Sequence, residues 1–198
     1  GYVDRTYISN TSIGSRVAKV SIREERVPAI GDKFCSRCGQ KGTIGQIIPE
    51  EDMPFTSDGI KPDLIINPHA LPSRMTIGQM IESVMGKACL QVGGYGDCTA
   101  FINKDKSPND DFGSILPRYG YHSKGSEILY NGMSGKQLRA DIFIGPTYYM
   151  RLKHMVKDKI NYRAKGGTTN LTRQTTKGRA NDGGLRIGEM ERDGIIGY

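Results

Sequence analysis

The sequence predicts an α+β protein, on three observations: stretches of strand-like alternation, one stretch at helical spacing, and a hairpin signature. They occur without the regular strand–helix alternation of a parallel α/β sheet. Residues 16–27, RVAKVSIREERV, alternate loosely and stop before Pro28, as a strand entering a turn does. A glycine-rich loop, GDKFCSRCGQKGT, fills residues 31–43. Residues 64–66, a short apolar run set among Pro62, Pro68 and Pro72, read as a short strand. Beyond Pro72 the period changes. Ile77, Met80, Ile81, Val84 and Met85 recur at helical spacing, which predicts an amphipathic helix with Ser73 or Thr76 as its cap. Residues 93–110, GGYGDCTAFINKDKSPND, read as a surface loop. EILYNGMSGKQLRADIFIG predicts a hairpin with Asn131-Gly132 and Gly135 in its turn. A second main amphipathic helix is predicted over residues 147–160, with Tyr148, Leu152, Met155 and Val156 on its inner stripe. Residues 165–184 carry Gly, Thr and Asn in place of apolar periodicity and read as a mobile loop.

A chain of 198 residues fits one ordinary domain or two small ones. No run approaches the roughly 18 apolar residues that a bilayer-spanning helix needs, so no membrane partner is expected. The opening GYVDRTYISN lacks an apolar leader core, so a signal peptide is not expected, and a start at Gly reads as a trimmed or partial chain. Four cysteines without a secretory leader predict free thiols in a reducing compartment and leave metal binding open.

The net charge of +7 is unevenly spread. Residues 151–192 hold eleven Lys or Arg against four acids, so this segment carries the whole excess. A concentrated basic segment running into a Gly/Thr-rich loop fits a polyanion such as nucleic acid, against the plainer reading of a solvated face.

Residues 31–43 allow two chemistries. Cys35 and Cys38 form one C-x-x-C knuckle, half of what a structural zinc site uses; Cys89, Cys98, His69, His122 and His154 are scattered singly. Small thiols packed beside glycines are the favoured reading of the pair, and no metal site is expected. Lys33 and Lys41 stand among Gly31, Gly39, Gly42 and Gly45, where backbone amides and lysine stems can approach one anion. Arg74 adds a guanidinium just before the helix at residues 75–87. Phosphate contact and ordinary surface lysines both remain open on composition alone. The chain has no nucleophile–base order of a hydrolase, no H-E-x-x-H, no Walker loop and no dense carboxylate cluster for paired metals. In phosphoryl chemistry it would supply positive charge and leave the metals to another chain.

Four segments together resemble the second-largest subunit of multisubunit DNA-directed RNA polymerases, of the eukaryotic RNA polymerase II and archaeal type: GDKFCSRCGQKGT, EEDMPFTSDGIKPDLIINPHALPSRMT, GPTYYMRLKHMVKDKI and GGLRIGEMERD. The likeness is weak before Pro28 and strong after it. It identifies residues 1–198 as a partial chain, the hybrid-binding region of a larger multidomain subunit. The resemblance implies a β-rich, barrel-like active-centre core completed by neighbouring segments. It implies that Lys33 and Lys41 reach the RNA 3′ end and nearby phosphates, and that Arg74 contacts the triphosphate of the incoming nucleotide. Gln40 belongs to the same intact phosphate-binding set, and His154 would lie along the RNA–DNA hybrid. Residues 164–186 would form a switch-like basic loop with Lys177 and Arg179 against that hybrid. Implied partners are the largest and other polymerase subunits, template DNA, nascent RNA and nucleoside triphosphates. The implied cofactor, Mg2+, is held mainly by the largest subunit. An intracellular site follows: the nucleus for a cellular eukaryote, the cytoplasm or a virion for an archaeal or viral enzyme. The sequence departs from the family's pattern at Cys38, where histidine is common, at Asn161 for a usual histidine, and at Ile187 for a usual phenylalanine. GGTTNLTRQTTKGRAND also departs from the commoner wording, a divergence that suits a large DNA virus or an unusual cellular lineage. A zinc-binding module without catalysis and a ribosomal-type RNA-binding protein are the alternatives.

Overall fold

The computed structural model describes residues 1–102 and 108–198. The strands are β1 (Tyr2–Asn10), β2 (Arg16–Arg23), β3 (Lys33–Ser36), β4 (Lys41–Thr43), β5 (Phe55–Thr56), β6 (Ser126–Tyr130), β7 (Gln137–Phe143) and β8 (Tyr149–Arg151). The helices are α1 (Ala70–Arg74), α2 (Ile77–Val92), α3 (Pro108–Ile115), α4 (Val156–Lys159) and α5 (Glu189–Gly197). The class is α+β. All strand pairs are antiparallel, in a β1–β2 hairpin and two three-stranded sheets ordered β4–β3–β8 and β5–β6–β7. Among the described residues the sheets stay open and none closes into a barrel, since no strand joins one sheet to another.

Helix α2 organises the rest. It ends at Gly93, whose φ of +74° suits glycine and whose N–H returns to the Cys89 carbonyl at 2.8 Å. Val84 and Ala88 pack with Leu116 as the buried core, flanked by Phe112, Ile115 and Tyr121. The sequence placed the buried stripe on Ile77, Met80, Ile81, Val84 and Met85, and the structure rotates it. Ile77 and Met80 are exposed, whereas Gln79, Ser83 and Lys87 are buried. Those three polar residues recur every fourth position and so share a face. Each is satisfied by another element. Ser36 Oγ donates to Gln79 Oε1 at 3.1 Å, Ser83 and Thr147 hydroxyls bond at 2.6 Å, and Lys87 reaches the Gly125 and Ile144 carbonyls and the Glu127 carboxylate. Buried polar groups with partners cost little, which is why a polar stripe can hold both three-stranded sheets to one helix.

The β6–β7 hairpin forms as expected, but Gly132 serves a different purpose. Gly135 takes the positive φ, +66°. At Gly132 a Cβ would lie 2.4 Å from the Met53 carbonyl oxygen, so glycine is required by close approach.

Three expectations are corrected. Residues 147–160 are not one helix: β8 pairs with β3 and only α4 is helical. Backbone pairing with β3, more than a hundred positions upstream, overrides the local 3.6-residue spacing. Residues 64–66 form no strand and have no pairing partner among the described residues. The loop read over 93–110 gives way to α3 from Pro108, and its 103–107 portion lies outside the described residues. Residues 165–184 form a loop, as expected, with a Thr168–Thr175 bridge, a Gly184 N–H bond to the Thr176 carbonyl and a helical turn over Arg179–Asn181.

Candidate nucleic-acid interface

The β3–β4 hairpin has two unlike faces, because side chains alternate along a strand. Ser36 points inward to α2, where Gln79 also donates to the Tyr149 hydroxyl at 3.3 Å. Lys33 and Cys35 point the other way. The register pairs Lys33 with Thr43 and Cys35 with Lys41, so both lysines stand on the outward face as diagonal neighbours, about 7–8 Å apart in such a ladder. The turn is closed by Gly39 at φ +75° and by the Ser36 N–H bond to the Gln40 carbonyl. Of the four glycines in this stretch, Gly31 and Gly39 adopt positive φ, and Gly42 and Gly45 face open space.

On the other edge of β3, Lys33 N–H donates to the His154 carbonyl at 3.3 Å and Leu152 N–H donates to the Lys33 carbonyl at 2.9 Å. His154 therefore precedes α4, beside Lys33, and does not ride on a long basic helix. Its imidazole is pushed below its ordinary value by Lys159 first, then by partial burial, then by Lys33, Lys153 and Lys41. The charges of four lysines thus bear on one ring. Lys153 and Lys159 belong to the basic segment, but charge counting did not single them out, since their convergence on Lys33 comes from the β3–β8 pairing.

Several other cations are tied into ion pairs. Arg26 pairs with Asp158, Arg37 with Glu82, Lys87 with Glu127 and Arg151 with Asp32. Among the described residues, Lys33, Lys41, Arg74, Lys153, Lys159 and Lys177 have no carboxylate within ion-pair reach. Cations left unpaired on one face are available to an anion from outside the chain.

Arg74 is exposed and ends α1, three positions before α2 begins. Its helix is tied to the lysine hairpin by Gln40, whose Nε2 donates to the Ala70 carbonyl at 3.2 Å. Gln40 itself is buried, with its Oε1 unpartnered. Lys177 is exposed. Arg179 donates to the carbonyls of Lys157 and Asp158, each at 2.6 Å, which fastens the 164–186 segment to α4.

Asp32 lies under this surface and was missed by the sequence reading. Its carboxylate accepts the Val156 N–H at 3.0 Å, the Ala29 N–H at 3.1 Å and the Arg151 guanidinium. The Val156 and Ala29 amides, followed by Arg151, hold its carboxyl below the usual carboxylate value against the opposing effect of burial. The stabilisation is present above the unfolded-state value and is lost as pH falls through the lower folded one.

Among the described residues no three of His, Cys, Asp and Glu converge as metal ligands, and the four cysteines are free thiols. A zinc reading of Cys35 and Cys38 therefore finds no further ligands there, and the residues present do not form a Mg2+ site. No described helix is long and apolar enough to cross a membrane.

The lysine-surrounded imidazole gives a direct expectation. NMR titration should place the His154 pKa below an ordinary histidine's at low salt, and 1 M salt or Lys159→Met should raise it by relieving lysine repulsion. A value insensitive to both would mean that the lysines do not converge. Because the folded value is the lowered one, acidification through the unfolded-state value should destabilise the fold at this point.

The chain as a whole is matched by relatives. The DNA-directed RNA polymerase II subunit RPB2 of Encephalitozoon cuniculi is 54% identical over 198 residues, all of this chain and 17% of that protein. The DNA-directed RNA polymerase subunit Rpo2 of Saccharolobus solfataricus is 48% identical over 198 residues, again all of this chain and 17% of that protein. The DNA-directed RNA polymerase subunit 2 of Acanthamoeba polyphaga mimivirus is 51% identical over 199 residues, all of this chain and 16% of that protein. The chain thus spans about one sixth of the length of these relatives. All three are polymerase subunits by name, where one alternative expected a ribosomal-type protein. With its residues 1–181 also matching the family profile, the chain belongs to the family described as RNA polymerase Rpb2, domain 6.

Proposed function

We propose that this chain is the hybrid-binding part of the second-largest subunit of a DNA-directed RNA polymerase. In this reading it carries the cations that hold RNA and nucleotide phosphates during template-directed synthesis. The observation that carries the reading is that Lys33 and Lys41 share the outward face of the β3–β4 hairpin, beside the His154 segment and with no carboxylate in ion-pair reach among the described residues. In the reaction, the RNA 3′-oxygen bonds to the α-phosphorus of a nucleoside triphosphate, its proton is released, and pyrophosphate departs with the bond to the β-phosphate side. Lys33 and Lys41 hold the primer end and neutralise phosphate charge. Arg74, on the helix tied to the same hairpin, orients the triphosphate, for which a planar guanidinium is suited. His154 and Lys177 grip the hybrid backbone without reading sequence. Gln40 and Arg179 serve that grip by fixing α1 to the hairpin and the basic loop to α4.

Mg2+, when bound by the largest subunit, supplies stabilisation of the attacking and leaving oxygens. The partners of this reading are the largest and remaining polymerase subunits, template DNA, nascent RNA and nucleoside triphosphates. The compartment follows the enzyme: nuclear in a cellular eukaryote, cytoplasmic or virion-borne otherwise.

The test uses the full-length subunit in reconstituted polymerase. Arg74→Ala should lower kcat/KM for the nucleotide by about ten- to a hundredfold, the worth of one hydrogen bond to a charged group. Binding of the RNA–DNA scaffold should be unchanged. Normal incorporation kinetics would remove Arg74 from the site, and failure of the tagged subunit to copurify with the largest subunit would reject the whole reading.

A further inference from the structure

We infer that Asp32 is a positioning residue for the reaction: its buried carboxylate aims Lys33 by locking the hairpin, β8 and the start of α4 together. The inference rests on the reading of Lys33 as a phosphate contact given above. Asp32 is 2% exposed, and it gathers donors from three separate segments. Oδ1 accepts the N–H of Val156, the first residue of α4. Oδ2 accepts the Ala29 N–H from the preceding loop and the Arg151 guanidinium from β8. Arg151 in turn donates to the Arg26 carbonyl. The Asp32 backbone carbonyl accepts the Ile44 N–H at 3.0 Å, next to the end of β4.

Lys33 is the next residue, and its own N–H and carbonyl pair with His154 and Leu152. The segment from Leu152 to Val156 is therefore bonded to Lys33 at one point and to Asp32 at another. Neither lysine hairpin nor α4 can shift without breaking both. Gly31 completes the arrangement: at φ +98° it leaves only 3.2 Å between its ideal Cβ position and Val156 Cβ, so a side chain there would push α4 away from the carboxylate. Read as chemistry, the three residues Gly31-Asp32-Lys33 make room, bond and reach.

The alternative is that Asp32 only stabilises the fold. A double-mutant cycle in reconstituted polymerase with full-length subunit separates the two, because residues acting through one another are not additive. Asp32→Asn keeps the size but offers one acceptor oxygen where three donors now point at two. It should slow extension about ten- to a hundredfold, the usual cost of misplacing a contact group. It should also reduce the salt slope of scaffold binding by about one phosphate contact, as Lys33→Ala does. The double variant should be no slower than the slower single one.

Val156→Pro gives a milder probe. It deletes the N–H that Asp32 Oδ1 accepts and exchanges the side chain beside Gly31 for a ring of similar size, at a first helical position that tolerates proline and after Met155, which is already extended. It should slow extension about threefold to tenfold, the worth of one hydrogen bond, and again not add to Lys33→Ala. This variant decides the matter if Asp32→Asn fails to assemble. Two results overturn the inference while sparing the phosphate role of Lys33: rate losses that multiply in the double variants, or assembled Val156→Pro polymerase that extends at the wild-type rate. Normal extension by Lys33→Ala removes both the phosphate role and the inference built on it.

Discussion

Lys41→Ala, placed in the full-length subunit of the proposed polymerase, is expected to slow RNA extension by about ten- to a hundredfold while subunit assembly proceeds normally. The size is that of one hydrogen bond to a charged group expressed in the transition state. The normal assembly follows from the side chain's surroundings. Lys41 is exposed on β4 and has no carboxylate within ion-pair reach among the described residues. Truncating it removes no internal contact, so the fold has nothing to lose. Its charge stands on the hairpin face it shares with Lys33, and with Lys33, Lys153 and Lys159 it bears on His154. Such a cluster is unfavourable by itself and becomes favourable only when an anion arrives. Lys61→Ala is the control: that lysine is also on the surface but lies 3.7 Å from Glu50, and its loss should leave extension within about twofold, as isolated surface pairs contribute little. Extension by Lys41→Ala at the control rate would separate the cluster from the chemistry.

What the sequence disclosed and what it hid divide along the distance of the partner. The β6–β7 hairpin, the strand from Arg16 and the helix α2 rest on local patterns, and all three are present, although the strand ends at Arg23 instead of 27 and the helix runs over Ile77–Val92 instead of 75–87. The lysines at 33 and 41 were singled out from their glycine-rich surroundings and given roles by the likeness of GDKFCSRCGQKGT to the polymerase subunits, and the hairpin register puts them on one face. The misread helix at 147–160 had correct helical spacing, but its residues answer to β3, which no local window contains. The buried face of α2 was misjudged for the same reason. Gln79 is buried because Ser36, 43 positions away, bonds to it, and hydrophobicity alone ranks Met80 ahead of it. Asp32 looked like one more loop carboxylate, because its donors sit at positions 29, 151 and 156. The β1–β2 hairpin shows the limit from the other side. Tyr2, Val3, Ile8, Val20 and Ile22 are exposed on it. A two-stranded hairpin is marginal alone, and this chain is about one sixth of the subunits it resembles in length. Apolar alternation tells which face needs covering, not whether the cover lies in the same segment.

Lys87→Met is expected to produce the opposite pattern to Lys41→Ala: a loss of about 3 kcal/mol in stability, within the range for breaking a buried ion pair, and a normal extension rate in whatever polymerase assembles. Lys87 is 7% exposed. Its ammonium donates to the Gly125 and Ile144 carbonyls, both at 3.3 Å, pairs with the Glu127 carboxylate, and stands 4.8 Å from the Tyr121 ring centroid. Methionine fills the stem's volume but leaves the carboxylate and the Ile144 carbonyl without their donor, while the Gly125 carbonyl keeps the Ile144 N–H at 3.4 Å. Most of the loss should come from the stranded carboxylate, so Lys87→Met combined with Glu127→Gln should recover a large part of it, the amide also offering a donor to one of the carbonyls. Denaturant midpoints of the single and double variants measure this, and equal or greater destabilisation in the double variant would show that the charge pair is not what holds α2 to the β5–β6–β7 sheet. Because Lys87 faces that sheet while Gln79, two turns earlier, faces β3, the damage should begin on the side away from Lys33 and Lys41. The two lysine classes are thereby distinguished by experiment: one buried, paired and needed for the fold, the other exposed, unpaired and needed only when phosphate is present.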